Sequence, residues 1–196
     1  DQNPTGNKLG GRVGCEMVGA DEGARIHALI VYQALEVSGI VFRDLAFAGD
    51  GTNHGILFAA KQSRAHVAFL FERCLFEDGP QAGAPAWGIR SAGPSVGLVV
   101  IDCVFRNLRE HGVYTGNASE VLIEGCLFER CRRTGVQGTN RMWTGRSSSG
   151  LVEIVRNTFT DCGQDGASSI TMAGHLGTVR VINNVVRSSW NTGACL

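Results

Sequence analysis

Four side chains in the middle of the chain could together carry out acid–base chemistry on an acidic ligand. They are His111 and Tyr114, with Arg90 and Arg132 on either side of them in the sequence. Arginine binds carboxylates through two parallel hydrogen bonds, and histidine and tyrosine can transfer protons. We expect Arg90 or Arg132 to neutralise a uronate carboxylate and so acidify the proton at C5. Either His111 or Tyr114 would remove that proton while the other protonates the leaving oxygen, which is cleavage of an acidic polysaccharide by β-elimination.

Other aromatic, basic and polar residues near this set could bind the sugar rings and carboxylates of the same polymer. The predicted binding residues are Trp87, Arg109, Arg133, Gln137, Arg141 and Trp143. Two insertions, at residues 78–86 and 140–150, border them, and long loops on a regular scaffold often form the walls of a binding site. The expected partner is therefore an acidic polysaccharide or another glycan.

Two other interpretations of these residues remain open. One is that they are ordinary solvated positions on the polar exterior of the fold. The other is a non-catalytic module, structural or adhesive, in a viral or surface assembly; the short chain and the strand-like end at 194–196 without an evident cap favour it. An open strand edge predicts a homo-oligomer or an end-capping partner. Side chains of His111 and Tyr114 more than about 8 Å apart, or not converging on one groove, would leave no acid–base pair.

A repeat of 23 to 31 residues predicts how these side chains are positioned. One column of equivalent positions reads Leu45, Cys74, Cys103, Cys126, Asn157 and Asn184. Two residues later a second column reads Phe47, Phe76, Phe105, Phe128, Phe159 and Val186. A third column is glycine, each followed by a small or branched apolar residue: Gly55, Gly88, Gly112, Gly135, Gly166 and Gly193. Stretches rich in Val and Ile precede the first column, and no segment has helical periodicity.

Units of this size predict an all-β fold, a single-stranded parallel β-helix of about six to seven coils over residues 16–196. Equivalent residues of successive coils then stack about 4.8 Å apart. We expect the glycines to serve sharp turns or positive φ. We also expect the residue after each glycine–apolar pair to point outward, with His111 beside Tyr114 on that face. The outward residues are Leu57, Arg90, Tyr114, Gln137, Ser168 and Cys195.

The repeat resembles the right-handed parallel β-helix coils of the pectin lyase-like superfamily, including polysaccharide lyases and tailspikes. Asn157 and Asn184 are similar to the asparagine ladder of that family, with Cys74, Cys103 and Cys126 in the same column. The resemblance implies the fold across residues 16–196, whereas the scaffold hosts lyases, hydrolases, epimerases and non-catalytic proteins. Neither the acidic calcium cluster of the pectate lyases nor the Asn-Thr-Asp segment of the polygalacturonases occurs here.

Composition and charge narrow the classes of protein and function that the sequence allows. The chain has 196 residues, 27 of them glycine, and its 18 Lys+Arg balance 18 Asp+Glu, so binding of nucleic acid through bulk charge is not expected. No apolar run approaches the length of a membrane span. Of the seven cysteines, Cys131 and Cys162 share a second column, and we interpret the columned cysteines as small buried residues. We therefore expect no metal site, and we expect no cofactor. Residues 1–15 are expected to form an N-terminal arm or an incomplete coil. The expected location is extracellular or virion-associated.

Overall fold

The computed structural model describes the protein in segments, and all statements below refer to these. They are residues 15–18, 25–26, 29–31, 38–48, 56–58, 66–77, 87–91, 95–116, 118–139, 150–164, 166–173 and 177–187. Every regular element in these segments is a β-strand. They contain no helix long and apolar enough to cross a membrane. The predicted arm at residues 1–15 lies almost wholly outside them and stays a prediction.

Twenty strands form three parallel sheets, and the chain visits the sheets in turn. The first sheet holds β1 (Cys15–Val18), β4 (Ser38–Arg43), β7 (His66–Glu72), β10 (Ser95–Ile101), β13 (Ala118–Glu124), β16 (Leu151–Val155) and β19 (Thr178–Ile182). The second holds β2 (Arg25–Ile26), β5 (Ala46–Ala48), β8 (Leu75–Glu77), β11 (Val104–Arg106), β14 (Leu127–Glu129), β17 (Thr158–Thr160) and β20 (Val185–Arg187). The third holds β3 (Leu29–Val31), β6 (Ile56–Phe58), β9 (Ile89–Ser91), β12 (His111–Gly116), β15 (Thr134–Thr139) and β18 (Ile170–Ala173). Because each strand pairs with its counterpart one coil away, the architecture is the predicted parallel β-helix.

The phenylalanine column forms the spine of the core. The register pairs Phe47 with Phe76, and the pairing continues coil by coil to Val186. The stacked rings lie 4.7 to 4.8 Å apart and within 6° of parallel. All five rings are at most 1% exposed. Since the ring spacing equals the strand spacing, one residue type satisfies every coil, which explains the repetition in the sequence.

The cysteine and asparagine column forms a continuous internal ladder of hydrogen bonds. The backbone N–H of Cys74 donates to Sγ of Cys103 at 3.4 Å, and that of Cys103 donates to Sγ of Cys126 at 3.4 Å. The N–H of Cys126 then donates to Oδ1 of Asn157 at 2.9 Å, and that of Asn157 to Asn184 at 2.8 Å. Cysteine therefore has the same role as asparagine in this column, because each side chain accepts a hydrogen bond from a buried backbone N–H of the preceding coil.

The prediction that the columned cysteines are buried is confirmed. Cys74, Cys103, Cys126, Cys131 and Cys162 are free thiols and all are buried. The contact with the neighbouring Cys103 and burial raise the pKa of the Cys74 thiol, which favours its protonated form. In the described residues no group of three or more His, Cys, Asp or Glu side chains could hold a metal ion.

Gly88, Gly112 and Gly135 have a different cause from the one predicted for the glycine column. Of its other members, Gly166 has the predicted positive φ, at 77°, and Gly55 and Gly193 lie outside the described residues. None of Gly88, Gly112 and Gly135 has positive φ. A Cβ on Gly112 would lie 2.6 Å from Cδ1 of Phe128 and 2.7 Å from the carbonyl oxygen of Gly135. Gly88 meets Phe105 and Gly135 meets Phe159 in the same way. Each glycine thus makes room for the phenylalanine of the next coil.

Positive φ recurs at several turns, among them Asn107, Arg130 and Asp161 after strands of the second sheet. At the turn just before the cysteine and asparagine column, one residue of each of six coils takes it, and its φ lies between 50° and 66°: Asp44, Arg73, Asp102, Gly125, Arg156 and Asn183. Only one of the six is glycine, so the left-handed turn is enforced by the stacked coils rather than by residue type.

The register of the last strand of the third sheet differs from the prediction. Val136 pairs with Ile170 and Gln137 with Thr171, so the expected outward position of Ser168 was wrong. One residue earlier in this register Gly135 stands opposite Ser169, which places Ser169 in the glycine column. The following coil carries Val186 in place of a phenylalanine. A glycine is therefore not required at Ser169, and three further residues separate Gly166 from the strand.

Replacing Gly112 by alanine tests the glycine–phenylalanine contact. We expect Gly112→Ala to lower the free energy of unfolding by about 1–3 kcal/mol, because the new methyl group overlaps a ring and a backbone oxygen in a rigid core. Gly138→Ala is the matched control, because the atoms nearest its Cβ would be side-chain ends and not a ring or backbone atom: the flexible end of Met172, at 2.4 Å from Cε, and Oγ1 of Thr115 at 3.3 Å. Urea unfolding of both variants measures the difference, and equal destabilisation would contradict this cause.

Candidate functional site

The third sheet brings the predicted catalytic residues of two coils together. Val113 pairs with Ile89 and Tyr114 with Arg90, so His111 stands one coil beyond Trp87. Gln137 of the next coil pairs with Tyr114. The outward column of Arg90, Tyr114 and Gln137 is therefore as predicted, and all three side chains are partly exposed.

Trp87 lies at the centre of this group. Its ring centroid is 4.7 Å from that of His111 and 5.0 Å from that of Tyr114, the latter edge to face at 87°. The guanidinium carbon of Arg90 lies 4.7 Å from the Trp87 ring centroid, within the range of a cation–π interaction. The rings of His111 and Tyr114 are 5.7 Å apart. They thus stay within the distance that an acid–base pair requires.

His111 is buried, contrary to the expected outward position. It is 3% exposed, whereas Trp87, Arg90 and Tyr114 are partly exposed. The two-residue period of a strand explains this difference, because His111, Val113 and Thr115 share one side of β12 and all three are buried. The period was visible in the sequence, and applying it from Val113 would have placed His111 inside.

The basic residues lie in the turn that leads from the second sheet into the third. Arg109 is partly exposed, and Arg132 and Arg133 are exposed. The amide of Arg132 donates to the carbonyl of Leu108 at 2.7 Å, and that of Arg133 to the carbonyl of Glu110 at 3.1 Å. These backbone bonds hold the two turns in register and place the arginines on neighbouring coils.

Glu110 is the site residue that the sequence analysis did not select. Its Oε2 atom lies 3.2 Å from Nε of Arg133 and 3.7 Å from Nε2 of His111. The Glu110 side chain is 17% exposed and that of Arg133 is 55% exposed. The available signal was the repeat, which aligns Glu110 with Arg133 when His111 is aligned with Thr134.

The surroundings of His111 hold its imidazole neutral. Burial lowers its pKa to about 3, with further contributions from the positive charges of Arg133 and Arg90. Its Nδ1 atom has no hydrogen-bond partner among the described residues. At neutral pH the ring can therefore accept a proton but has none to release as an imidazolium.

Two predicted binding residues, Arg141 and Trp143, lie outside the described residues, as do the insertions at 78–86 and most of 140–150. The other residues of the predicted set fall into two groups. The third sheet and the residue before it carry Trp87, Arg90, His111, Tyr114 and Gln137, and the turn carries Arg109, Arg132 and Arg133. We call these eight residues, with Glu110, the sheet-3 site.

Comparison with known proteins agrees with this architecture. The family described as right handed beta helix region matches residues 33–196. The chain belongs to that family. The predicted right-handed parallel β-helix is therefore confirmed. A search of curated protein sequences returned no match.

Two solved structures are similar to this chain. Both are of the periplasmic alginate epimerase AlgG, one of them a T265N T268M double mutant. Each aligns with 12% sequence identity and a TM-score of 0.43 over 81% of this chain. The match spans 46% and 47% of those longer chains. At this identity the likeness concerns the fold alone.

Burial of a neutral His111 predicts a specific acid sensitivity. The unfolded chain protonates this histidine below about pH 6.5, whereas the folded chain does not until about pH 3. Stability that is fully present above pH 6.5 is thus lost as the pH falls toward 3. We expect His111→Gln to remove about 3 kcal/mol of the decrease in unfolding free energy between pH 7 and pH 4. Urea titrations of both proteins at several pH values measure it, and parallel pH profiles would contradict the burial.

Proposed function

We propose that the sheet-3 site binds an acidic polysaccharide. The observation that carries the proposal is the mutual contact of Trp87, Arg90 and Tyr114 on neighbouring coils, beside exposed arginines in the adjacent turn. Aromatic faces pack against sugar rings, and guanidinium groups bind carboxylates with matching geometry. Because the arginines recur coil by coil, a polymer can engage several of them at once, and weak individual contacts then add to a useful affinity.

Cleavage by β-elimination is the enzymatic form of this proposal. Arg90 or Arg132 would neutralise the uronate carboxylate, and the neutral imidazole of His111 would accept the C5 proton. Tyr114, which reaches the surface of the same site, would protonate the leaving oxygen. In the described structure His111 packs against Trp87 at 4.7 Å and is 3% exposed. The reaction therefore requires the Trp87 side chain to turn away when the substrate binds.

Binding without chemistry is the second candidate, and the burial of His111 favours it. In this form the chain is an adhesive or structural β-helix of a surface or viral assembly, acting outside the cytoplasm. In this form we propose a homo-oligomer or an end-capping partner. Ile182 and Val185, each 43% exposed, are described apolar side chains that such a contact would bury.

Removal of the central contacts tests the binding proposal. We expect Trp87→Ala and Arg90→Gln each to weaken binding of pectate, alginate or a glycosaminoglycan by roughly tenfold, equivalent to about 1.4 kcal/mol. Arg180→Gln is the matched control, because Arg180 pairs with Glu153 on the first sheet, whereas the sheet-3 site lies on the third sheet and the turn before it. Isothermal titration calorimetry measures the affinities, with neutral dextran as a control ligand.

Two outcomes separate the candidates. Release of an unsaturated uronate, seen as new ultraviolet absorbance and lost in His111→Gln, supports the lyase form. Binding that Trp87→Ala weakens, without any product on the full panel, supports the non-catalytic form. No affinity for any of the acidic polymers would contradict both.

A further inference from the structure

Glu110 holds a position between two groups that compete for its carboxylate. Arg133 lies 3.2 Å from its Oε2 atom and His111 lies 3.7 Å from the same atom. The Oε2 atom is buried and forms no hydrogen bond with a described residue. The contact with Arg133 is therefore an ion pair without an aligned N–H donor, which is weaker and easier to exchange than a bidentate pair.

The charged groups around His111 are few, and each comes from a different coil. Glu110 belongs to its own coil, Arg90 to the preceding one and Arg133 to the following one. The aromatic neighbours are Trp87 and Tyr114. Among the described residues, Glu110 is thus the single anion next to His111. The same carboxylate also forms the ion pair with Arg133.

We propose that the Glu110 carboxylate pairs with Arg133 while no glycan is bound. When a glycan binds, its carboxylate replaces Glu110 on Arg133, Glu110 moves toward His111, and the site takes up a proton. This inference rests on the proposed function. A glycan carboxylate on Arg133 has the same charge and geometry as the one it displaces. The released Glu110 then lies next to the neutral imidazole of His111, which takes up a proton from solvent and becomes its cationic partner.

The charges around His111 predict that this exchange raises the pKa of its imidazole. The positive charges of Arg133 and Arg90 contribute to the lowered pKa of His111. A polyanion that neutralises them removes this contribution, and a carboxylate moved closer to the ring favours its charged form. Both changes raise the pKa of His111, and by linkage the polyanion binds more tightly as the pH falls.

The exchange can be tested first in the free protein. Arg133→Gln imitates the occupied site, and we expect it to raise the pKa of His111 by about one unit or more, read from the imidazole resonances in an NMR titration. The double variant Arg133→Gln with Glu110→Gln should show less than half of that increase, because the carboxylate is gone. Arg130→Gln is the matched control: Arg130 is 48% exposed and pairs with Glu129 rather than with Glu110. An unchanged pKa in Arg133→Gln, or an equal increase in the double variant, overturns the exchange.

The ligand-bound state is tested with a saturated oligogalacturonate. Calorimetry near pH 5 in two buffers of different ionisation heat should show net proton uptake for the wild type and less than half of it for Glu110→Gln. The same variant should bind at least as tightly as the wild type at pH 7, because the internal competitor has lost its charge. Binding without proton uptake overturns the exchange and leaves the proposed function standing. Absence of binding, with the NMR result as expected, overturns the proposed function and its ligand step but not the pairing of Glu110 with His111.

Discussion

Every feature of this protein depends on the parallel hydrogen bonding of one coil to the next. The strands of a coil pair with their counterparts between 21 residues away, from Arg25 to Ala46, and 34 residues away, from Val136 to Ile170. The side chains must follow the register that the backbone sets. Equivalent residues therefore stand about 4.8 Å apart in columns. A column can hold only residues that tolerate their own kind above and below, and parallel phenylalanine rings meet that condition.

The same constraint couples columns to one another. A phenylalanine in one coil occupies the space where a Cβ of the preceding coil would lie, so the phenylalanine and glycine columns must occur together. Along the cysteine and asparagine column, each side chain accepts the backbone N–H of the coil before it. Sulfur is a weaker acceptor than an amide oxygen. Its use in the middle coils shows that position in the ladder, more than residue identity, satisfies the buried amide.

Much of this architecture could be predicted from the sequence, because a repeat converts spacing along the chain into contact in space. The phenylalanine and cysteine columns are examples, and so is the outward column through Arg90 and Tyr114. The cause of the glycines could not be predicted in this way, since the contact joins two coils through a ring whose orientation the sequence does not give. The register at Ile170 was missed because three additional residues precede that strand. Glu110 was missed because its importance lies in its two neighbours rather than in its own type.

The sheet-3 site differs from an ordinary polar β-helix exterior because it combines aromatic rings with charged side chains. Stacking places Trp87 against His111 and Tyr114, and it places Arg133 against Glu110. The aromatic residues exclude water from His111, while the neighbouring arginines disfavour its charge. A ligand that carries carboxylates and sugar rings would complement both properties, and on this basis we propose an acidic polysaccharide rather than a neutral glycan.

The most direct measurement is a crystal structure of the protein with a bound saturated oligouronate. We predict a sugar ring packed against Trp87 or Tyr114, with carboxylates on Arg90 and on Arg132 or Arg133. We also predict that Glu110 has moved away from Arg133 and toward His111. An oligosaccharide bound to the first or second sheet, with the sheet-3 site empty, would contradict the account.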